Sequence, residues 1–384
     1  MRNVCWVGVA VILLTVGTSG TSLAAEPALA CPDGTQLIGD PPPAGDKLWC
    51  VYRGGDGHYV AHGPTREFYR NGRVHLAGTF DHGRRDGRWV EYEEHGGIKV
   101  DSTWRREVLE GPYVGFNPDG SHLEGRFAAG KRVGSWRLFD AGGALIAEGA
   151  YVDDKRAGRW VVVDDDGGRA TGTYRAGRRS GSWVITWPDG KKRAEGAFKD
   201  DQRTGPWKEY SEDGALVAQG AYERDRRSGS WTLYGAGRSE ASGPIEDGAR
   251  EGVWVEVAED GSRTEGVYRK DQRSGVWSRY DARGILLSRG AYAGEQPDGP
   301  WTFYFPDGKV QTEGRYANGE RVGTWTEYTS FGARGEGRYR DGVREGRWVY
   351  FYPNGTKWSE GTYRAGEKLA DWRVWYEDGR VGKL

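Results

Sequence analysis

The triplet Gly-x-Trp returns every 23 or 24 residues, and this period limits the possible folds more than any other feature of the chain. It runs through Gly87/Trp89, Gly134/Trp136, Gly158/Trp160, Gly181/Trp183, Gly205/Trp207, Gly229/Trp231, Gly252/Trp254, Gly275/Trp277, Gly299/Trp301, Gly323/Trp325 and Gly346/Trp348. Gly111/Tyr113 carries a smaller ring, Gly63/Thr65 opens the series and Ala370/Trp372 closes it. About fourteen units in one phase make an array in which each unit packs on its neighbours. A second triplet, Gly-x-aromatic, places its ring about nine residues before each Trp, as at Gly149/Tyr151, Gly172/Tyr174 and Gly266/Tyr268. Ser102/Trp104 lacks the glycine, and Gly243/Ile245 lacks the ring.

Between each Trp and the next Gly-x-Tyr there is usually Asn-Gly or Asp-Gly, as at Asp189-Gly190, Asp213-Gly214 and Asp260-Gly261. Such pairs tolerate φ > 0 at both positions, so type I′ turns are expected there. Each unit therefore reads as a β-hairpin: a Trp strand, a tight turn, then a Tyr strand. A looser linker such as 200–204 joins it to the next. Period 2 points the glycine and ring of Gly-x-Trp the same way, so rings are expected to lie over glycines of adjacent strands. The expected fold is all-β, an elongated, twisted array of stacked β-hairpins, roughly 130 Å long at the usual strand spacing. Its core is a ladder of rings: Trp89, Trp136, Trp160, Trp183, Trp207, Trp231, Trp254, Trp277, Trp301, Trp325, Trp348 and Trp372. So thin a core should unfold in pieces.

Gly337-Arg-Tyr339-Arg-Asp-Gly342-Val-Arg-Glu-Gly346-Arg-Trp348, followed by Asn354-Gly355, resembles the MORN repeat (membrane occupation and recognition nexus). It is most similar to the bacterial variant often labelled antitoxin-like, and the likeness covers about residues 60–384. The resemblance implies stacked hairpins that serve as scaffolds, protein-contact surfaces or lipid binders. It carries over no catalytic residues.

The first residues read as an export leader: Arg2, an apolar run from Val4 to about Gly17, then small residues. Cleavage is expected after Ala24 or after Ala30. The organisation is then a signal peptide at 1–24, a cap at 25–60 and the repeat array at 61–384. Cys5 leaves with the leader, and Cys31 and Cys50 remain. An even pair in an oxidising compartment reads as one disulfide, worth about 3 kcal/mol by the chain-entropy model. The competing reading is a lipoprotein acylated at Cys31, which would leave Cys50 single. Export to the periplasm, the cell surface or the medium follows from either.

Composition and spacing then narrow the chemistry. Eighteen Trp and 21 Tyr exclude a disordered chain. Lys plus Arg number 55 against 56 acids, so a nucleic-acid partner is not expected. A basic residue stands two positions before most Gly-x-Trp triplets: Arg132, Arg156, Arg179, Arg203, Arg227, Arg250 and Arg273 among them. One reading is a cationic stripe for an anionic polymer or lipid headgroups. The other is pairing with acids at nearby phases, such as Asp154, Asp201, Asp225, Asp271 and Asp341. The six histidines fall mostly at different repeat phases, so no metal site is expected. Glu124, Glu148, Glu195 and Glu265 recur like structural elements, whereas catalysis needs a unique constellation. The chain is therefore expected to be a non-catalytic scaffold at the bacterial envelope, without a cofactor, binding a protein partner. The alternatives are cell-wall glycan or anionic lipid, favoured if the tryptophans are exposed, and an antitoxin or immunity role.

Overall fold

The structure, a computed structural model, describes residues 29–235 and 238–382. The expected leader, both its cleavage point after Ala24 and Cys5, lies outside the described residues. The chain is all-β: thirty-two strands and no helix among the described residues. The described residues divide into two units, one up to Phe116 and the other from Asn117 onward. Within each unit the strands pair antiparallel with strands next to them in the chain, giving stacked hairpins.

The second unit shows the regular repeat. Strand Lys155–Val163 pairs with Arg169–Arg175, which pairs with Arg178–Thr186, which pairs with Lys192–Lys199. Trp160 and Trp183 both stand opposite Gly172 in register. The glycine is covered by the second ring: a Cβ on Gly172 would sit 2.2 Å from Trp183 Cδ2. The same close approach recurs at Gly196 beneath Trp207, Gly266 beneath Trp277 and Gly337 beneath Trp348. Most of the indoles also donate to the covered strand, as in Trp160 Nε1 to Ala150 O at 2.9 Å and Trp254 Nε1 to Pro244 O at 2.8 Å.

The two kinds of turn are exchanged relative to expectation. The Asp-Gly segments are not two-residue type I′ turns. At 211–215 only Gly214 has positive φ, its amide donates to Ser211 O at 2.9 Å, and the Ser211 amide donates to Ala215 O at 2.9 Å. Pairing slips by one residue between Glu209 and Tyr210, the pattern of a three-residue loop closed by a glycine bulge. The type I′ signature falls instead in the segments read as linkers. Asp200 and Asp201 both have positive φ, 51° and 71°, and Lys199 pairs directly with Gln202. Loop length, rather than the presence of glycine, selected the turn type.

The glycines of Gly-x-Trp differ from expectation as well. They do not seat rings. Gly181 has φ 70°, has nothing near its missing Cβ, and lies where pairing jumps from Gly172↔Trp183 to Thr173↔Ser180. It is a bulge residue, and φ > 0 is why it is glycine. Two glycines per unit thus serve two separate physical needs.

The first unit runs from strand Gln36–Ile38 to Val108–Phe116. Cys31 and Cys50 are joined by a disulfide with Cα atoms 5.4 Å apart. Strand Lys47–Arg53, which carries Cys50, pairs with Tyr59–Phe68, so the cap segment continues the sheet. There the ring and the small residue have changed places: Trp49 stands opposite Thr65, and buried Thr65 donates from Oγ1 to Leu48 O at 3.2 Å.

Candidate interaction surface

Alternation along each strand divides the array into a ring face and a face of intervening residues. On the ring face the twelve expected tryptophans are all buried, none more than 8% exposed. Their edges meet the Tyr and Phe rings in T-shaped contacts, as in Trp160–Tyr174 at 5.9 Å, Tyr174–Trp183 at 5.3 Å and Trp183–Phe198 at 5.7 Å. Each such contact is worth about 0.5–1.5 kcal/mol beyond the area buried. Ile245 replaces a ring between Trp231 and Trp254 and is itself buried.

A single sheet has no second layer to cover these rings. The arginines supply the cover. Arg132 stacks over Tyr151 at 4.3 Å, Arg179 over Phe198 at 4.1 Å, Arg203 over Tyr222 at 4.0 Å and Arg250 over Tyr268 at 3.8 Å. Arg156, Arg227 and Arg273 lie over Trp160, Trp231 and Trp277 at 4.6, 4.3 and 4.6 Å. These guanidinium groups are roof elements over the ladder, not a bare cationic edge.

Which ring an arginine covers follows from one turn residue. Where the second residue of the following type I′ turn is acidic, its carboxylate takes the arginine's backbone amide and holds its guanidinium. Asp154 binds Arg132 this way at 3.0 Å, Asp201 takes the Arg179 amide at 2.8 Å, and Asp271 takes the Arg250 amide at 2.9 Å. Glu107 does the same for Arg85. Where that residue is glycine, as at Gly177, Gly248 and Gly366, the paired Arg156, Arg227 and Arg344 swing onto Trp. Arg273 is the exception: its turn carries Glu295, yet it joins Glu256 at 2.8 Å. Asp341 stands first in its turn rather than second.

Glutamates two residues past certain tryptophans complete this layer. Glu209 accepts from Tyr222 Oη at 2.7 Å and from Arg227 at 2.6 Å. Glu256 accepts from Tyr268 Oη at 2.6 Å and from Arg273, and Glu327 from Tyr339 Oη at 2.8 Å and from Arg344 at 2.5 Å. Burial first, then the carboxylate, raises the Tyr222 and Tyr268 phenols above their ordinary range. The same causes push Tyr210 up to about 12, with Glu195 at 2.7 Å as its acceptor. These phenols stay protonated and act as donors, so the ring face is a bonded structural layer. Glu195 lies on the other face, on the side of Ala197 and opposite Lys208; Glu124 pairs with Arg137 at 2.5 Å.

The opposite face is different. Ser182, Ala197, Pro206, Ala221 and Ser230 line an open groove of about 740 Å³, flanked by Val184, Glu195, Lys208 and Gln219. The same register continues through Pro244, Val253, Val267, Val276, Ala291 and Pro300, so no charged residue occupies this row from Ser182 to Pro300. Val253 and Val276 are 62% and 48% exposed. Beyond it the row carries Arg315, Arg338 and Arg347. The row consists of the x residues of both triplets, whose small and varied side chains form no motif in the sequence.

The family profile described as the MORN repeat variant matches residues 297–318 and 344–365. Both segments run from a Gly-x-Trp strand through the bulged Asp307-Gly308 or Asn354-Gly355 loop to a Gly-x-Tyr strand, a pairing that other units share. Those two segments are matched as MORN repeats. No curated protein matches the chain at a significant level. MORN repeats are compatible with a protein-binding module, and the array offers two faces for it: one consumed by its own ring layer, one open.

Proposed function

We propose that this MORN array is a non-catalytic protein-binding module, exported to the bacterial envelope, whose partner docks on the uncharged row between Ser182 and Pro300. The observation that carries the reading is that row. It holds half-exposed valines, is edged by charge, and has a groove at one end. A run of surface without charge that exposes large aliphatic side chains is the usual mark of an interaction site. The Cys31–Cys50 disulfide supports an oxidising compartment. Burial of the twelve ladder tryptophans counts against glycan stacking along the array, although Trp358 is 41% exposed.

The test replaces Val253 and Val276 with Arg. Both side chains point away from the rings, so the fold and tryptophan emission should be unchanged. Pull-downs from native envelope extracts should lose, in the double variant, the proteins that the wild type captures. Equal capture by both, or binding only to purified peptidoglycan or anionic vesicles, would overturn the proposal.

A further inference from the structure

Phase counting along the sequence keeps the histidines apart, but the fold brings two of them together in the first unit. His62 lies on strand Tyr59–Phe68. Asp81 ends strand Val74–Asp81, and His82 and Gly83 form the turn that follows, both with positive φ. That turn folds onto the preceding strand: the Gly83 amide donates to Ala61 O at 2.7 Å, and the His82 amide donates to His62 Nδ1 at 3.2 Å. The two imidazoles come to rest with centroids 4.6 Å apart, and both meet Tyr52 edge-on at 6.0 and 5.7 Å. Asp81 Oδ1 stands 2.6 Å from His82 Nδ1 and 3.4 Å from His62 Nδ1. One ligand atom from each residue falls within 4.8 Å of the others.

The geometry points to a binding site for a divalent first-row transition-metal ion, held by His62, Asp81 and His82. Metal–ligand bonds of about 2.0–2.2 Å in a tetrahedral shell put ligand atoms about 3.3–3.6 Å apart. The His62–Asp81 pair already has that separation. The Asp81–His82 pair must open by under about 1 Å, and the His82 side chain is 67% exposed and free to turn. The ion displaces the His82 amide from His62 Nδ1 and leaves that amide facing water at an exposed turn. Two imidazoles and one carboxylate select zinc, copper or nickel over magnesium and calcium, which take shells of oxygen. Solvent fills the remaining positions. Two other histidines have partners of their own: His75 packs on Tyr69 at 4.6 Å and His122 stacks on Phe139 at 4.5 Å.

The test uses the full chain with its disulfide intact, titrated with Cu(II) and separately with Zn(II). One equivalent of Cu(II) should bind with an electron-paramagnetic spectrum showing coupling to two nitrogens. Zn(II) should raise the thermal midpoint of the first unit. His82→Asn keeps a residue suited to the left-handed turn, so folding is preserved. It should weaken Cu(II) binding at least tenfold and abolish the Zn(II) shift, and His62→Gln should do the same. His75→Gln and His122→Gln should bind as the wild type does. Equal affinity in His82→Asn and wild type, or displacement of the ion by excess Mg(II), would overturn the assignment.

Discussion

The two units build one kind of sheet from different parts. In the second, a glycine sits under a tryptophan in unit after unit. In the first, Gly78 beneath Trp89 is a regular rung and the rungs on either side of it are substitutes. Trp49 faces Thr65, reversing the usual order of ring and small residue, with the disulfide at Cys50 beside them. Ser102 stands where the glycine belongs, and the residue opposite it is Tyr113 rather than Trp. Those last two departures belong together. A Cβ beneath an indole would approach to about 2.2 Å, and the smaller ring leaves room for the serine. Ser102 is buried, bonding Trp89 O at 3.3 Å and accepting from Trp104 Nε1 at 2.9 Å. The comparison teaches that the fold requires a complementary pair at each rung, and glycine with tryptophan is only its commonest solution.

The comparison breaks most visibly if one regular rung is removed. Trp254→Ala deletes a fully buried indole and should cost about 3–5 kcal/mol locally. In a quasi-one-dimensional array that loss should stay near its origin. Hydrogen exchange should speed up across residues 230–280, while residues 47–116 keep their protection. Uniform loss of protection in both units would mean that the array folds as one block.

A smaller effect sharpens the contrast between turns. The Arg250 amide holds the Asp271 carboxyl below its ordinary range; burial opposes this, and the Arg250 guanidinium at 3.0 Å adds to it. A depressed folded value contributes stability above the unfolded value of about 3.9, and that contribution is lost as pH falls through the folded value. Asp271→Asn should therefore lower local stability at neutral pH by no more than about 1 kcal/mol, because the pair is largely exposed. The difference from wild type should vanish in acid. Turns with glycine at that position, such as Gly248 and Gly366, should lack this acid sensitivity, as exchange at pH 6 and pH 3 would report.

Much of the fold was legible because its period is strict: fourteen repeats of ring and glycine leave few options besides stacked hairpins. What stayed hidden lies where one residue type serves several ends. Gly214 and Gly181 look alike in sequence, yet one closes a bulged loop and the other relieves a register jump. Asp200-Asp201 looked like a linker because it lacks glycine, although aspartate also enters the left-handed region. The arginine stripe was visible, but its role depends on the turn residue some 22 positions later, which links each unit to the next. His62 and His82 differ in phase, and only the fold-back of the turn onto its neighbouring strand places them together. The open row on the other face is composed of small, varied residues, which leave no motif to notice.

The most direct measurement is a double-mutant cycle that transplants the natural Ser102–Tyr113 rung onto a regular one. Gly266→Ser alone puts a side chain into the Trp277 ring and should cost about 2 kcal/mol, measured by hydrogen exchange in strands 263–280. In a Trp277→Tyr background the same change should cost less than about 0.5 kcal/mol, giving a coupling of at least about 1 kcal/mol. If the two changes are additive, the glycines are not seats for the rings and the account of the ladder fails.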